Sequence, residues 1–174
     1  MRLALRLGFD PDTPLPSSGR RLLHLAAEAG DVELTKVLLA GGASVNASDS
    51  SGVRPAHWAA IHGQVEVMQL LLDAGGSPLL IDARGLQPHH WAAMKGRAEV
   101  LRLLLARGAQ VDARGLKGLT PLYWASNNGC LDSVRLMLGK GAMVDAAAAA
   151  RMAQMQPIHI AADKGHAALV EALH

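Results

Sequence analysis

Hydrophobic and polar positions along this chain follow a pattern that predicts pairs of short helices. Four apolar residues that follow Gly96 fall at the spacing of one helical face: Ala98, Leu101, Leu104 and Leu105. Val100 and Leu103 widen the apolar face around this helix. A helix that is apolar over so much of its circumference must be covered on two sides, as in the middle layer of a stack.

A shorter helix is predicted in front of it, from Pro88 to Lys95. Proline suits the first turn of a helix because its missing N–H has no partner there in any case. Gly96 suits the left-handed position at the end of a helix. Gly108 ends the longer helix, and residues 109–115 are typical of an extended arm and turn.

The same unit returns every 33 residues. Trp58, Trp91 and Trp124 are spaced at this interval. Four glycines share it: Gly30, Gly63, Gly96 and Gly129. Composition bias cannot put several residue types in phase, and a period of this length is typical of stacked repeats.

The short-helix motif has a recognisable form. It reads T-P-L-Y-W-A at 120–125, P-A-H-W-A-A at 55–60, P-H-H-W-A-A at 88–93 and P-I-H-I-A-A at 157–162. These segments resemble the T-P-L-H-x-A-A motif of the ankyrin repeat, and Leu104 to Asp112 is similar to its L-L-x-x-G-A-x-V-D/N tail. The resemblance implies an all-α solenoid of stacked helix-turn-helix units with protruding β-turn arms.

The period also divides the chain. Residues 1–15 are expected to be a partial preceding repeat or an N-terminal cap, and the repeats span about 16–48, 49–81, 82–114, 115–150 and 151–174. Tyr123 and His159 are 36 residues apart, so three residues are inserted, within Ala146 to Ala150. Terminal repeats normally hide their apolar faces. We therefore expect a longer natural domain, or ends that a partner or a second copy covers.

Composition changes this interpretation little. Half of the 174 residues are hydrophobic but only 3% are aromatic, so Leu, Ala, Val and Met must fill the core. The formal net charge of +2 is small, and we expect no nucleic-acid partner. A single cysteine, Cys130, excludes an intramolecular disulfide framework. No apolar run has the length of a membrane span, which favours the cytoplasm or nucleus.

Candidate catalytic chemistry is weak. His24, His57 and His90 recur in register, which places them on successive layers about 8–10 Å apart, too far to share one metal ion. The resemblance implies a structural histidine bonded to nearby backbone. His89 stands where Leu23 has a core position, and we expect it to be partly buried and hydrogen-bonded. We predict no catalytic, cofactor or metal site.

A surface for a partner is the more plausible function. The resemblance implies binding at the arm tips and the exposed side of the short helices, which form a concave surface. The candidate residues there are Val53, Ile61, His62, Arg84, Leu86, Met94, Lys95, Lys117, Leu119, Asn127, Asn128 and Met155. An apolar stripe with a basic margin suits a peptide or helix with hydrophobic anchors and acidic flanks. Alternatively, the apolar residues only pack arm against arm.

The three tryptophans are interpreted differently. Leu25 and Ile160 stand at their position in the outer repeats. We expect the indoles to lie in the core, where they would join the two helices of each repeat.

The sequence thus predicts a non-enzymatic scaffold that binds another protein or peptide of unknown identity. The alternative is a regulatory or substrate-recruiting segment of a larger enzyme, such as a ubiquitin ligase or a kinase. Sequence beyond His174 would distinguish the two hypotheses.

Overall fold

A computed structural model of the chain describes residues 10–143 and 157–173. Ten α-helices lie in these ranges: α1 Leu22–Ala29, α2 Val32–Ala40, α3 Pro55–His62, α4 Val65–Asp73, α5 Pro88–Met94, α6 Ala98–Ala106, α7 Pro121–Asn127, α8 Leu131–Gly139, α9 Pro157–Asp163 and α10 Ala167–Ala172. A 3₁₀ turn spans Leu116–Gly118, and these ranges contain no strand. The predicted all-α repeat fold is confirmed.

The helices form two layers. The first helices of the repeats, α1, α3, α5, α7 and α9, pack on one another in chain order, and the second helices, α2, α4, α6, α8 and α10, do the same. Each first helix also packs against the second helix of its own repeat. Helix α9 begins 36 residues after α7, in agreement with the predicted offset, while the inserted alanines lie outside the described residues.

A glycine joins the two helices of each of the first four repeats. Gly63, between α3 and α4, has a φ of 78°, in the left-handed region that residues with a Cβ adopt at a cost. Its N–H donates to the Ala59 carbonyl, which closes the helix end. The tight turn keeps the two helices side by side.

Small side chains fill the first layer. Ala26, Ala59 and Ala92 are at most 1% exposed, which lets neighbouring first helices approach closely. The second layer supplies the larger side chains: Leu38, Leu71, Leu104 and Met137 are each 0% exposed. The prediction of an aliphatic core therefore holds in the described residues.

The arms, residues 49–53, 82–86 and 115–119, connect one repeat to the next. In the second arm, the Asp82 Oδ1 accepts hydrogen bonds of 2.9 Å from the backbone N–H groups of Arg84 and Leu86. Asp49 makes the equivalent bonds in the first arm. Gly115 replaces this aspartate in the third arm, where Lys117 has a φ of 58° within the 3₁₀ turn.

A second polar bond ties the arm regions of repeats one and three to the next repeat. The Asn46 Oδ1 accepts from the N–H of Ser77 at 3.0 Å, and the Asp112 Oδ1 accepts from the N–H of Met143 at 3.1 Å. Asp12 makes the same kind of bond to Ser44, one repeat earlier. This is the contact expected if residue 12 belongs to a partial preceding repeat. Residues 1–9 lie outside the described ranges, so that repeat stays a prediction.

Candidate functional site

The tryptophans lie on the outward side of the first helices. In α5 the fully buried residues are His89, His90, Ala92 and Ala93. Successive residues of a helix are rotated by about 100°, so these four residues lie on one side of α5 and Trp91 lies on the opposite side. Trp58 and Trp124 have the same place in α3 and α7, and all three indoles are partly exposed. The expectation of a core position holds only in part: Trp58 and Trp91 pack against the buried core but, like Trp124, remain partly exposed.

The indoles contact the arms. Trp91 Nε1 donates a 3.0 Å hydrogen bond to Asp82 Oδ2. The guanidinium of Arg84, from the same arm, lies 5.5 Å from the Trp91 ring centroid. Trp124 instead meets the ring of Tyr123 edge-on, with centroids 5.6 Å apart. The Nε1 atoms of Trp58 and Trp124 are buried, so only part of each indole reaches the surface.

Trp58 is covered more fully. The Arg20 guanidinium lies 4.2 Å from its ring centroid, within the range of a cation–π contact. The Glu28 carboxylate forms an ion pair with Arg20 and lies 3.8 Å from the Nε2 of His62. His62 in turn stacks on Trp58, with centroids 6.0 Å apart. These contacts hold Arg20, Glu28 and His62 in place around Trp58, the first of the three tryptophans.

We call Trp58, Trp91, Trp124, Ile61 and Met94 the tryptophan face. Ile61 and Met94 lie one helical turn after a tryptophan and are partly exposed. The sequence reasoning missed this face because it assigned the tryptophan position to the core. Which arc of a short helix is buried depends on the neighbouring helices.

Two predicted contact residues are not on this surface. Leu86 is 1% exposed and Leu119 is 8% exposed. A Cβ placed on Gly115 would lie 2.6 Å from Leu86 Cδ2, so the Leu86 side chain packs against the backbone of the following arm. Leu86 therefore fits the alternative interpretation of the sequence, in which the apolar arm residues pack one arm against the next. Both residues are removed from the candidate site.

The other predicted residues are distributed along the face. His62, Arg84, Lys95, Lys117 and Asn128 are exposed. Val53, Ile61, Met94 and Asn127 are partly buried. Met155 lies outside the described residues. Partner contact by these residues remains a prediction.

The histidine column is structural, as expected. The Nδ1 of His57 accepts from the N–H of Arg54 at 3.2 Å, and its Nε2 lies 3.0 Å from the Leu86 carbonyl. His24 and His90 make equivalent pairs of bonds. Because Nδ1 accepts a backbone N–H, the ring must be neutral and carry its proton on Nε2. Burial lowers the pKa of His57 to about 4, although the bond to Leu86 acts in the opposite direction.

His89 differs from the prediction. It is fully buried where partial burial was expected, and neither ring nitrogen has a hydrogen-bond partner among the described residues. Its ring centroid is 4.4 Å from that of His90. Burial, and then the neighbouring His90, lower the pKa of His89 to about 3, against a weaker effect of the Gln110 backbone.

Other candidate chemistry is not assembled. Residues 10–143 and 157–173 hold no group of three or more His, Cys, Asp and Glu side chains that could bind a metal ion. Burial raises the pKa of the Cys130 thiol, which disfavours a reactive thiolate.

A groove of about 490 Å³ lies on the second-helix side, and its cations Arg102 and Arg135 have Glu99 and Asp132 beside them. No helix in the described part of the chain has both the length and the apolarity to cross a membrane.

Comparison with known proteins agrees with this architecture. The protein-family model for ankyrin repeats (3 copies) matches residues 1–82 and 76–148. No curated protein sequence matched the chain.

Proposed function

The chain belongs to the ankyrin-repeat family, and on that premise we propose that it is a non-enzymatic scaffold that binds another protein or peptide through the tryptophan face and the arm tips. Ankyrin repeats are generally protein-interaction modules, and they are typically non-catalytic and common in intracellular proteins. A cytoplasmic or nuclear location is part of this proposal.

One observation supports the proposal most: three partly exposed tryptophans in register on the outward arc of the first helices. Tryptophan is enriched among the residues that dominate protein interfaces, because it buries a large area with few rotatable bonds. Met94 and Ile61 add apolar surface to the same face. The exposed cations Arg84, Lys95 and Lys117 form a polar border, as is usual around the apolar centre of an interface.

The test is affinity capture with the whole chain, followed by mass spectrometry. Alanine at Trp91 and Met94 removes apolar area from the face, and we expect the main partner to be depleted by about tenfold or more. Val65, which is 39% exposed on α4, provides a matched control on the second-helix side. The Val65→Ala chain should retain the partner.

Unfolding curves of the same chains separate loss of binding from loss of structure. A partner that is captured equally by the Trp91→Ala/Met94→Ala chain and by the unmodified chain would contradict the proposal. Leu86 and Leu119 are unsuitable for this test because their burial makes alanine there destabilising.

A further inference from the structure

Positive charge is concentrated in the middle of the chain. Residues 84–117 contain seven Lys and Arg and two acidic residues, although the net charge of the whole chain is only +2. The cations are Arg84, Lys95, Arg97, Arg102, Arg107, Arg114 and Lys117. The whole-chain value therefore conceals a basic region in repeats three and four.

The acidic side chains of this region do not neutralise the tryptophan face. Asp82 is 5% exposed and accepts hydrogen bonds from Trp91 and from its own arm. Asp112 is partly buried and bonds the backbone of Met143. Glu99 and Asp132 are exposed but belong to the second helices. The exposed charges on the arms and first-helix ends of repeats three and four are thus those of Arg84, Lys95 and Lys117, while Asp163 is exposed at the end of α9, which packs against α7.

The first two repeats present a different surface. Arg20 covers the Trp58 ring, and Glu28 neutralises Arg20. Over Trp91 the Arg84 guanidinium is more distant, at 5.5 Å, and in the part of the chain that the structure describes no cation lies over Trp124. Partly exposed indoles and the exposed cations Arg84, Lys95 and Lys117 therefore coincide in repeats three and four.

We propose that the partner is an acidic peptide segment that places an apolar side chain against Trp91, Met94 and Trp124, with carboxylates on both sides of it that meet Arg84, Lys95 and Lys117. This inference rests on the proposed function and narrows it to one half of the face and to one class of partner. Complementary charge sets the specificity and the association rate, while the apolar anchor supplies most of the affinity.

The test begins with a library of short random peptides displayed on phage and selected on the whole chain. Selected peptides should contain one or two apolar residues among Asp and Glu. A synthetic peptide of the enriched sequence, its counterpart with Gln and Asn in place of the acids, and an oligothymidylate are then titrated by fluorescence anisotropy. The acidic peptide should bind most tightly, and its affinity should fall as salt is raised.

Variants locate the site. Arg84→Glu with Lys117→Glu should weaken the acidic peptide by about tenfold or more at low salt. Arg135→Glu with Lys140→Glu makes the same change of charge on exposed residues of α8 and its end, and should leave binding unchanged. Trp124→Ala should weaken the peptide by about thirtyfold, whereas Trp58→Ala should have little effect.

The outcomes separate the two proposals. Peptides that require Trp124 but are not acidic, or that tolerate the reversal at Arg84 and Lys117, would overturn the acidic-partner inference and leave the proposed function standing. Equal binding of the oligothymidylate would show general polyanion binding and would also overturn it. If no selected peptide depends on any tryptophan of the face, the proposed function itself fails. The Arg84 and Lys117 changes are at exposed side chains, so this part of the test does not depend on a core substitution.

Discussion

At the scale of single residues, His89 is a buried polar side chain without a hydrogen-bond partner in the described part of the chain. A buried polar group that has lost its water and gained no partner destabilises a fold by about 1–3 kcal/mol. Leu23 and Leu122 stand at the same position in α1 and α7 and are buried at 1% and 0% exposure. The position therefore accepts leucine in two other repeats.

We predict that His89→Leu raises the free energy of unfolding by about 1–2 kcal/mol, because it removes an unsatisfied polar group and keeps a similar volume. Urea unfolding followed by circular dichroism measures the change. A lower stability would contradict the prediction and would show that His89 makes a bond in solution.

His57→Leu provides the opposite control. It removes the acceptor of the Arg54 N–H and the donor to the Leu86 carbonyl. It should therefore lower the free energy of unfolding by about 2–3 kcal/mol. The two substitutions are therefore expected to change the free energy of unfolding in opposite directions, because among the described residues His57 has hydrogen-bond partners and His89 has none.

At the scale of elements, repeat two lacks the polar bond that ties other arm regions to the next repeat. Leu79 stands where Asn46 and Asp112 bind a backbone N–H, and an aliphatic side chain cannot do so. Leu79 and Ile81 are 48% and 54% exposed instead.

Leu79→Asn is expected to raise the free energy of unfolding by about 0.5–1 kcal/mol, since it supplies an acceptor to the following repeat and removes exposed apolar surface. Asp112→Leu, the reciprocal change, should lower it by about 1 kcal/mol. Both are measured by urea unfolding. If only Asp112→Leu has an effect, the geometry near Pro78, and not the side chain at 79, prevents the bond.

At the scale of the whole molecule, the histidine column makes the stack sensitive to acid. His24 and His57 each bond a carbonyl of the following repeat, His90 bonds that of Ala113 in its own repeat, and each ring is neutral in the folded state. Burial lowers the pKa of His90 to about 4, as it does for His57, and also lowers the pKa of His24. In the unfolded chain each ring has a pKa of about 6.5.

The sign of the pH effect follows. Between pH 6.5 and 4 the unfolded state binds more protons than the folded state, so stability is fully present above pH 6.5 and falls as the pH is lowered. Each such histidine contributes a slope of about 1.4 kcal/mol per pH unit. His57 and His90 together should give about 3 kcal/mol per pH unit, measured by urea unfolding at several pH values.

His89→Leu also tests this assignment, because His89 is neutral in the folded state and its removal should reduce the slope by about one histidine. A slope that is unchanged in this variant would show that carboxylates, not histidines, control the acid sensitivity.

The sequence by itself determined the repeat architecture, its period and the structural histidines. A residue that returns in register occupies the same environment in every layer, so Gly63 could be understood from the recurrence. The structural role of His57 was implied by the resemblance to the ankyrin repeat. The aliphatic core followed from composition. These features depend on local geometry repeated along one direction, and the spacing of residues contains that information.

Only the tertiary structure decided which side of a helix or arm each residue faces. Leu86 follows an arm turn whose direction depends on the next arm, and it is buried against Gly115. Trp91 lies at the surface because the neighbouring helices cover the opposite arc of α5. The charge available to a partner likewise depends on which carboxylates are buried or bonded, as Asp82 is. Burial is a property of neighbours distant in the chain, which a single repeat does not specify.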